Sequence, residues 1–69
     1  MAQSVLKNKD YDIISVIYNS SQAVETCSQY LQDAESEGDN EAKSFFDEVQ
    51  QMNNNLISKG KDLLKSRLQ

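Results

Sequence analysis

The sequence has one strong break, the stretch Glu37-Gly38-Asp39-Asn40, in a chain of 69 residues without proline. A glycine followed at once by aspartate and asparagine is typical of one helix ending directly at the start of the next. We predict an all-α hairpin domain over residues 10–69, with helices over about 10–36 and 40–68. Asn8 or Asp10 is the expected cap of the first helix, after a flexible N-terminal segment at 1–9.

Both predicted helices carry apolar and small residues in alternating steps of three and four, which is a heptad pattern. Folding the chain back at the break pairs the two sets in layers. Cys27 then lies opposite Phe46, and Ile13 opposite Gly60, so that large faces small. The expected seam consists of Ile13, Ile17, Ser20, Val24, Cys27, Leu31 and Ala34 in the first helix and Ala42, Phe46, Val49, Asn53, Leu56, Gly60 and Leu63 in the second.

Further apolar residues lie beside this seam, and two helices alone cannot cover so wide a stripe. A chain of this length also buries only about 60% of its unfolded surface, so a core of its own is marginal. We therefore predict that two hairpins form a four-helix bundle as a homodimer. The expected interface residues are Ile14, Val16, Ala23, Tyr30, Phe45, Met52, Ile57 and Leu64.

Charge is divided between the two ends of the predicted hairpin. Residues 33–48 hold seven acids and one lysine, whereas residues 59–69 hold four basic residues and one acid. Two hairpins with their turns at opposite ends would bring unlike ends together. The sequence leaves the choice between parallel and antiparallel pairing open.

The composition excludes several kinds of chemistry. The chain has no histidine and one cysteine, so an internal disulfide, the usual zinc sites and histidine-based catalysis are not possible. Cys27 is expected in the core, because no histidine can activate it as a nucleophile. The net charge of −4 disfavours nucleic acid, and no run of about 18 apolar residues predicts a membrane span. We expect a cytoplasmic protein with no cofactor and no enzymatic activity.

Three short motifs resemble half of a rubrerythrin-type bundle of the ferritin-like superfamily. They are Ser20-Ser21-Gln22-Ala23, then Ala34-Glu35-Ser36-Glu37-Gly38, then Phe46. The resemblance implies a metal-ligating Glu at position 20 and a Glu-x-x-His at positions 53 and 56, where this chain has Ser20, Asn53 and Leu56. It therefore implies the scaffold and argues against the iron chemistry that accompanies it.

Ser20 and Asn53 are the only plainly polar pair in the predicted seam. We interpret them as a hydrogen-bonded core layer that fixes the register, in a protein-interaction or scaffold module. Two alternatives stay open. One is a metal-binding protein that uses carboxylates at unusual positions, such as Glu25, Asp47 or Glu48. The other is a bundle that binds a small ligand at the Ser20 and Asn53 layer.

Overall fold

The computed structural model describes residues 8–68, which form two helices, α1 (Asn8–Glu37) and α2 (Asn40–Arg67), and no strand. The helices pack against each other as an antiparallel hairpin about 50 Å long. The predicted all-α hairpin is confirmed. Helix α1 begins two residues before the expected start, and residues 1–7 of the expected flexible segment lie outside the described part. Within residues 8–68, neither helix is long and apolar enough to cross a membrane.

The turn between the helices contains only Gly38 and Asp39. Gly38 has a φ of 70°, and its N–H donates to the carbonyl oxygen of Glu35 at 3.1 Å. The Asp39 N–H donates to Ala34 O at 2.9 Å, which completes a Schellman ending of α1. The Asp39 carboxylate in turn accepts from the Ala42 N–H at 3.0 Å and caps α2. One aspartate thus closes both helices, which makes the connection very short.

The seam predicted for α1 faces α2 along its whole length. Ser20, Cys27 and Ala34 are buried, while the remaining four positions are half-buried: Ile13, Ile17, Val24 and Leu31. Regular steps of three and four therefore describe α1 well.

The seam predicted for α2 is wrong in its second half. Leu56 and Leu63 are exposed, and the half-buried positions are instead Ile57 and Leu64, which flank Gly60 on one face of the helix. The half-buried positions step by four twice in succession, at 49, 53 and 57, so the strict alternation of four and three fails there. Leu56 and Leu63, each one position earlier than the residue that faces α1, lie to the side of the helix contact.

The predicted layers are also shifted by about one helical turn. The chain folds about the Gly38–Asp39 bond, so Ile17 lies level with Gly60 and not with Leu56. A Cβ added at Gly60 would come within 2.8 Å of Ile17 Cγ1. Glycine therefore permits the close approach of the two helices at this point.

The end of the hairpin away from the turn, here called the open end, is joined by an ion pair. Arg67 Nε donates to the carboxylate of Asp10, whose side chain is only 5% exposed. Asp10 lies inside the first turn of α1 and is not the helix cap expected from the sequence. Its carboxylate contributes to tertiary structure by linking the two chain ends of the hairpin.

Candidate interaction surface

One broad side of the hairpin carries a continuous set of exposed apolar side chains, here called the apolar face. Six of its residues are large and are 46–60% exposed, and the seventh, Ala23, is half-buried. Positions seven apart on a helix share one side, as do positions four and eleven apart. The apolar face consists of Val16, Ala23 and Tyr30 on α1 and Phe45, Met52, Leu56 and Leu63 on α2.

Contacts across the hairpin show that the two stripes lie on the same side. Near the open end, Val16 of α1 and both Leu56 and Leu63 of α2 line one groove. Near the turn, the ring centroids of Tyr30 and Phe46 are 5.3 Å apart. The ring centroids of Phe46 and Phe45 are 5.8 Å apart. The stripes therefore form one surface that spans both helices.

The open-end groove is a depression of about 740 Å³ beside Gly60, where the two helices pack tightly against each other. Gly60 has no side chain to fill it, so its walls are aliphatic side chains of both helices: Ile13, Val16, Leu56 and Leu63. The rim is charged and carries Lys9, Asp12, Lys59 and Arg67. A groove with apolar walls and a charged rim is suited to an apolar side chain brought by a partner.

The turn end of the apolar face combines an aromatic cluster with a smaller depression of about 250 Å³, whose lining includes Tyr30 and Phe46. Phe45 is 60% exposed, and it stands beside Phe46 and Tyr30 in an aromatic cluster. Aromatic side chains contribute much of the binding energy at protein interfaces, because they bury a large area with few rotatable bonds. The two ends of the face therefore differ in size and lining, since the turn end has exposed aromatic rings beside a small, partly polar depression and the open end has the larger apolar groove.

The opposite side of the hairpin is occupied by polar contacts between the helices. Gln50 Nε2 donates to Val24 O and to Ser28 Oγ, both at 2.9 Å. Lys43 Nζ contacts a carboxylate oxygen of Glu35 at 3.1 Å. These contacts satisfy polar groups of both helices on this side. Tyr11, Ile14 and Tyr18 are also exposed away from the apolar face, but all three belong to α1 alone, whereas the apolar face spans both helices.

The structure brings together five of the eight interface residues predicted from the sequence: Val16, Ala23, Tyr30, Phe45 and Met52. Ile14 is exposed but lies two positions from Val16, which places it on the opposite side of α1. Ile57 and Leu64 are half-buried against α1. Sequence reasoning missed Leu56 and Leu63, which it had assigned to the seam. The alternation of four and three on which the seam was predicted carries no signal for the second step of four that displaces them.

Ser20 and Asn53 both lie toward the interior, Ser20 buried and Asn53 half-buried. The Asn53 amide donates to the Val49 carbonyl oxygen of its own helix at 2.9 Å. The hydrogen bonds of residues 8–68 include none between Ser20 and Asn53. The register also sets Asn53 level with Val24, so the two polar residues lie in different layers.

The side chains suggested as alternative metal ligands, Glu25, Asp47 and Glu48, are all exposed. Among residues 8–68, no three side chains of ligating type are grouped so that they could hold a metal ion. Cys27 is a free thiol that is buried in the seam. The surface with the clearest binding character is therefore the apolar face.

Comparison of the chain with protein-family models, with curated proteins and with solved structures finds no match.

Proposed function

We propose that the protein is a non-catalytic homodimer in which two hairpins pack through their apolar faces into a four-helix bundle that serves as an interaction or scaffold module. The observation that carries this proposal is the exposure of six large apolar side chains on one side of a two-helix protein. Full burial of a large apolar side chain contributes about 1.5–3 kcal/mol. About half of that surface is still exposed on each of the six, and its burial in both copies would offset part of the cost of association.

The interior of the single hairpin supports the same proposal. In α1 the buried residues are Asp10, Ser20, Cys27 and Ala34, which are polar or small. No residue of α2 is fully buried within the described part of the chain. The large side chains are thus half-buried or exposed, and a second hairpin would complete their burial.

In this proposal the protein shares the helical scaffold of ferritin-like bundles but not their metal site. Two positions that would carry metal ligands hold Ser20 and Asn53, which supply no carboxylate or imidazole. Metal analysis of protein purified without chelators tests this part of the proposal. Stoichiometric iron, manganese or zinc would contradict it and favour the metal-binding alternative.

Light scattering coupled to gel filtration tests the dimer. At micromolar concentration the native chain, of 7.8 kDa, should show twice that mass. The double variant Met52→Asp, Leu56→Asp places two carboxylates in the middle of the apolar face. Loss of two central apolar contacts, with the cost of desolvating the carboxylates, should raise the dimer dissociation constant at least about 100-fold.

A matched control uses the opposite side of the hairpin. Tyr18 is 62% exposed and stands off the apolar face, so Tyr18→Asp should leave the dimer mass unchanged. Circular dichroism would show whether each variant keeps its helices. A helical native chain that is monomeric at micromolar concentration would show the proposal to be wrong.

A further inference from the structure

The apolar face has an internal symmetry that specifies how its partner docks. On α2, Phe45 and Leu63 lie nine residues before and after position 54, and Met52 and Leu56 lie two residues before and after it. An antiparallel contact of this stripe with a second copy of itself therefore sets Phe45 against Leu63 and Met52 against Leu56. Each large side chain meets an apolar residue of the second copy.

The stripe on α1 is symmetric in the same way. Val16 and Tyr30 lie seven residues before and after Ala23, each about 10 Å away along the helix axis. In an antiparallel contact Val16 packs against Tyr30 of the second copy, and Ala23 packs against Ala23 of the second copy. A small residue at this central position allows two helices to approach closely.

The centres of the two stripes lie at the same height in the hairpin. The contacts Ile17–Gly60 and Asp10–Arg67 show which residues of the helices are level with each other. By this register, Ala23 lies level with position 54. A single two-fold axis across the middle of the hairpin therefore satisfies both stripes at once, as an isologous dimer interface requires.

We infer that the partner of the apolar face is a second copy of this chain, docked antiparallel, with its turn end over the open-end groove of the first. This inference rests on the dimer proposed above and adds its geometry. The aromatic cluster and the groove lie on opposite sides of Ala23 at similar distances. The two-fold axis consequently seats Phe45 of each copy at the groove above Gly60 of the other.

Shape argues against the parallel arrangement, in which both turns lie at the same end. Two aromatic clusters would then face each other, and two grooves would face each other with no side chain to fill them. Unfilled apolar space costs dispersion contacts. The antiparallel arrangement places the exposed Phe45 ring of each copy against the larger groove of the other.

Charge argues in the same direction. The turn end carries seven acids and one lysine over residues 33–48. The open end is net positive, with five basic side chains, Lys9, Lys59, Lys61, Lys65 and Arg67, against the three acids Asp10, Asp12 and Asp62. Antiparallel docking sets these unlike charges against each other, whereas parallel docking sets like against like. Lys59, on the groove rim, comes level with Glu48 of the second copy and is placed for an ion pair between copies.

Distance measurement between nitroxide labels distinguishes the two arrangements. In a Cys27→Ala background, Asn40→Cys places one label at the exposed start of α2 beside the turn. The antiparallel dimer separates the two labels by about 40–45 Å, at 1.5 Å per residue from the two-fold axis. In a parallel dimer the labels would be about 15–25 Å apart, because neighbouring helix axes are 8–10 Å apart.

A mixed sample provides the reciprocal measurement. Protein labelled through Asn40→Cys is combined with protein labelled through Ser66→Cys, an exposed site at the open end. A new short distance, about 10–20 Å, is expected in the mixture alone, because turn end meets open end. Circular dichroism should show unchanged helicity in each labelled protein.

The outcomes separate this inference from the proposed function. The long distance in the first sample with the short one in the mixture supports the antiparallel dimer. A short distance in the first sample overturns the antiparallel geometry but leaves the dimer intact. Absence of any dipolar coupling, together with a monomer mass, overturns both.

Discussion

The turn end and the open end of the hairpin are closed by different kinds of contact. At the turn end, backbone N–H groups of Gly38 and Asp39 satisfy the last carbonyls of α1, and the Asp39 carboxylate caps α2. At the open end, the ion pair of Asp10 with Arg67 joins the helices, and an apolar groove remains above Gly60.

This difference follows from chain connectivity. Covalent linkage holds the helices together at the turn, so local hydrogen bonds suffice there. The open end has no such linkage, and side chains far apart in sequence must join the helices. We therefore expect substitutions at the open end to cost more stability than substitutions at the turn. All free energies of unfolding below are compared at one protein concentration, since dimerisation would otherwise shift them.

The largest effect is expected at the closest approach of the helices. Gly60→Leu forces a side chain against Ile17, where even a Cβ would come within 2.8 Å. Overpacking of this kind should lower the free energy of unfolding by about 2–3 kcal/mol. Urea denaturation followed by circular dichroism measures the loss. Asn54→Leu, at an exposed position of the same helix, is the control, and an equal loss there would contradict the packing explanation.

Removal of the ion pair at the open end should have the next largest effect. Arg67→Gln leaves the buried Asp10 carboxylate without its cation, at a cost of about 1–2 kcal/mol, since Arg67 itself is partly exposed. Thermal unfolding measures the change. Lys65→Gln, in the same last turn but exposed, should cost much less. Comparable losses in both variants would mean that loss of charge near the helix end, rather than the pair with Asp10, explains the effect.

A smaller loss is expected at Gly38, whose φ of 70° lies in the left-handed region. No atom lies within 4 Å of a Cβ added there, so backbone strain alone opposes a side chain. Gly38→Ala should cost about 1 kcal/mol of unfolding free energy. Gly38→Asn should cost less, because asparagine adopts this conformation more readily than alanine does. Equal losses would contradict strain as the cause.

The smallest of the four effects is expected from the α2 cap. Asp39→Ala removes the acceptor of the Ala42 N–H and should cost about 0.5–1 kcal/mol. Asp39→Asn retains an oxygen acceptor and should recover most of the loss, as a chemical denaturation midpoint would show. If Asp39→Ala lowered the free energy of unfolding more than Arg67→Gln, the turn end would contribute more stability than the open end, contrary to our expectation.

Much of the fold could be predicted from local sequence. The break at Gly38 and Asp39 sets the turn, and the steps of three and four along α1 identify its buried side correctly. These features depend on interactions within a few residues, such as the Schellman hydrogen bonds and the cap of α2.

The candidate surface was predicted in part. Val16, Tyr30, Phe45 and Met52 were expected beside the seam as interface residues, and all four are exposed on the apolar face. Leu56 and Leu63 were misassigned, because each is followed by another apolar residue, Ile57 and Leu64, and local spacing does not decide which of the two faces α1. Packing between the helices decides it.

The sequence by itself determined that the chain forms two helices, where they meet, and that they carry more apolar surface than one hairpin can bury. Tertiary structure alone decided the register of α1 against α2, the pairing of Asp10 with Arg67 and the approach of Ile17 to Gly60. These features join residues between 43 and 57 positions apart. They depend on the packing of two long helices, because a shift of one helical turn between α1 and α2 would change every contact along both, and no pattern within a few residues determines that shift.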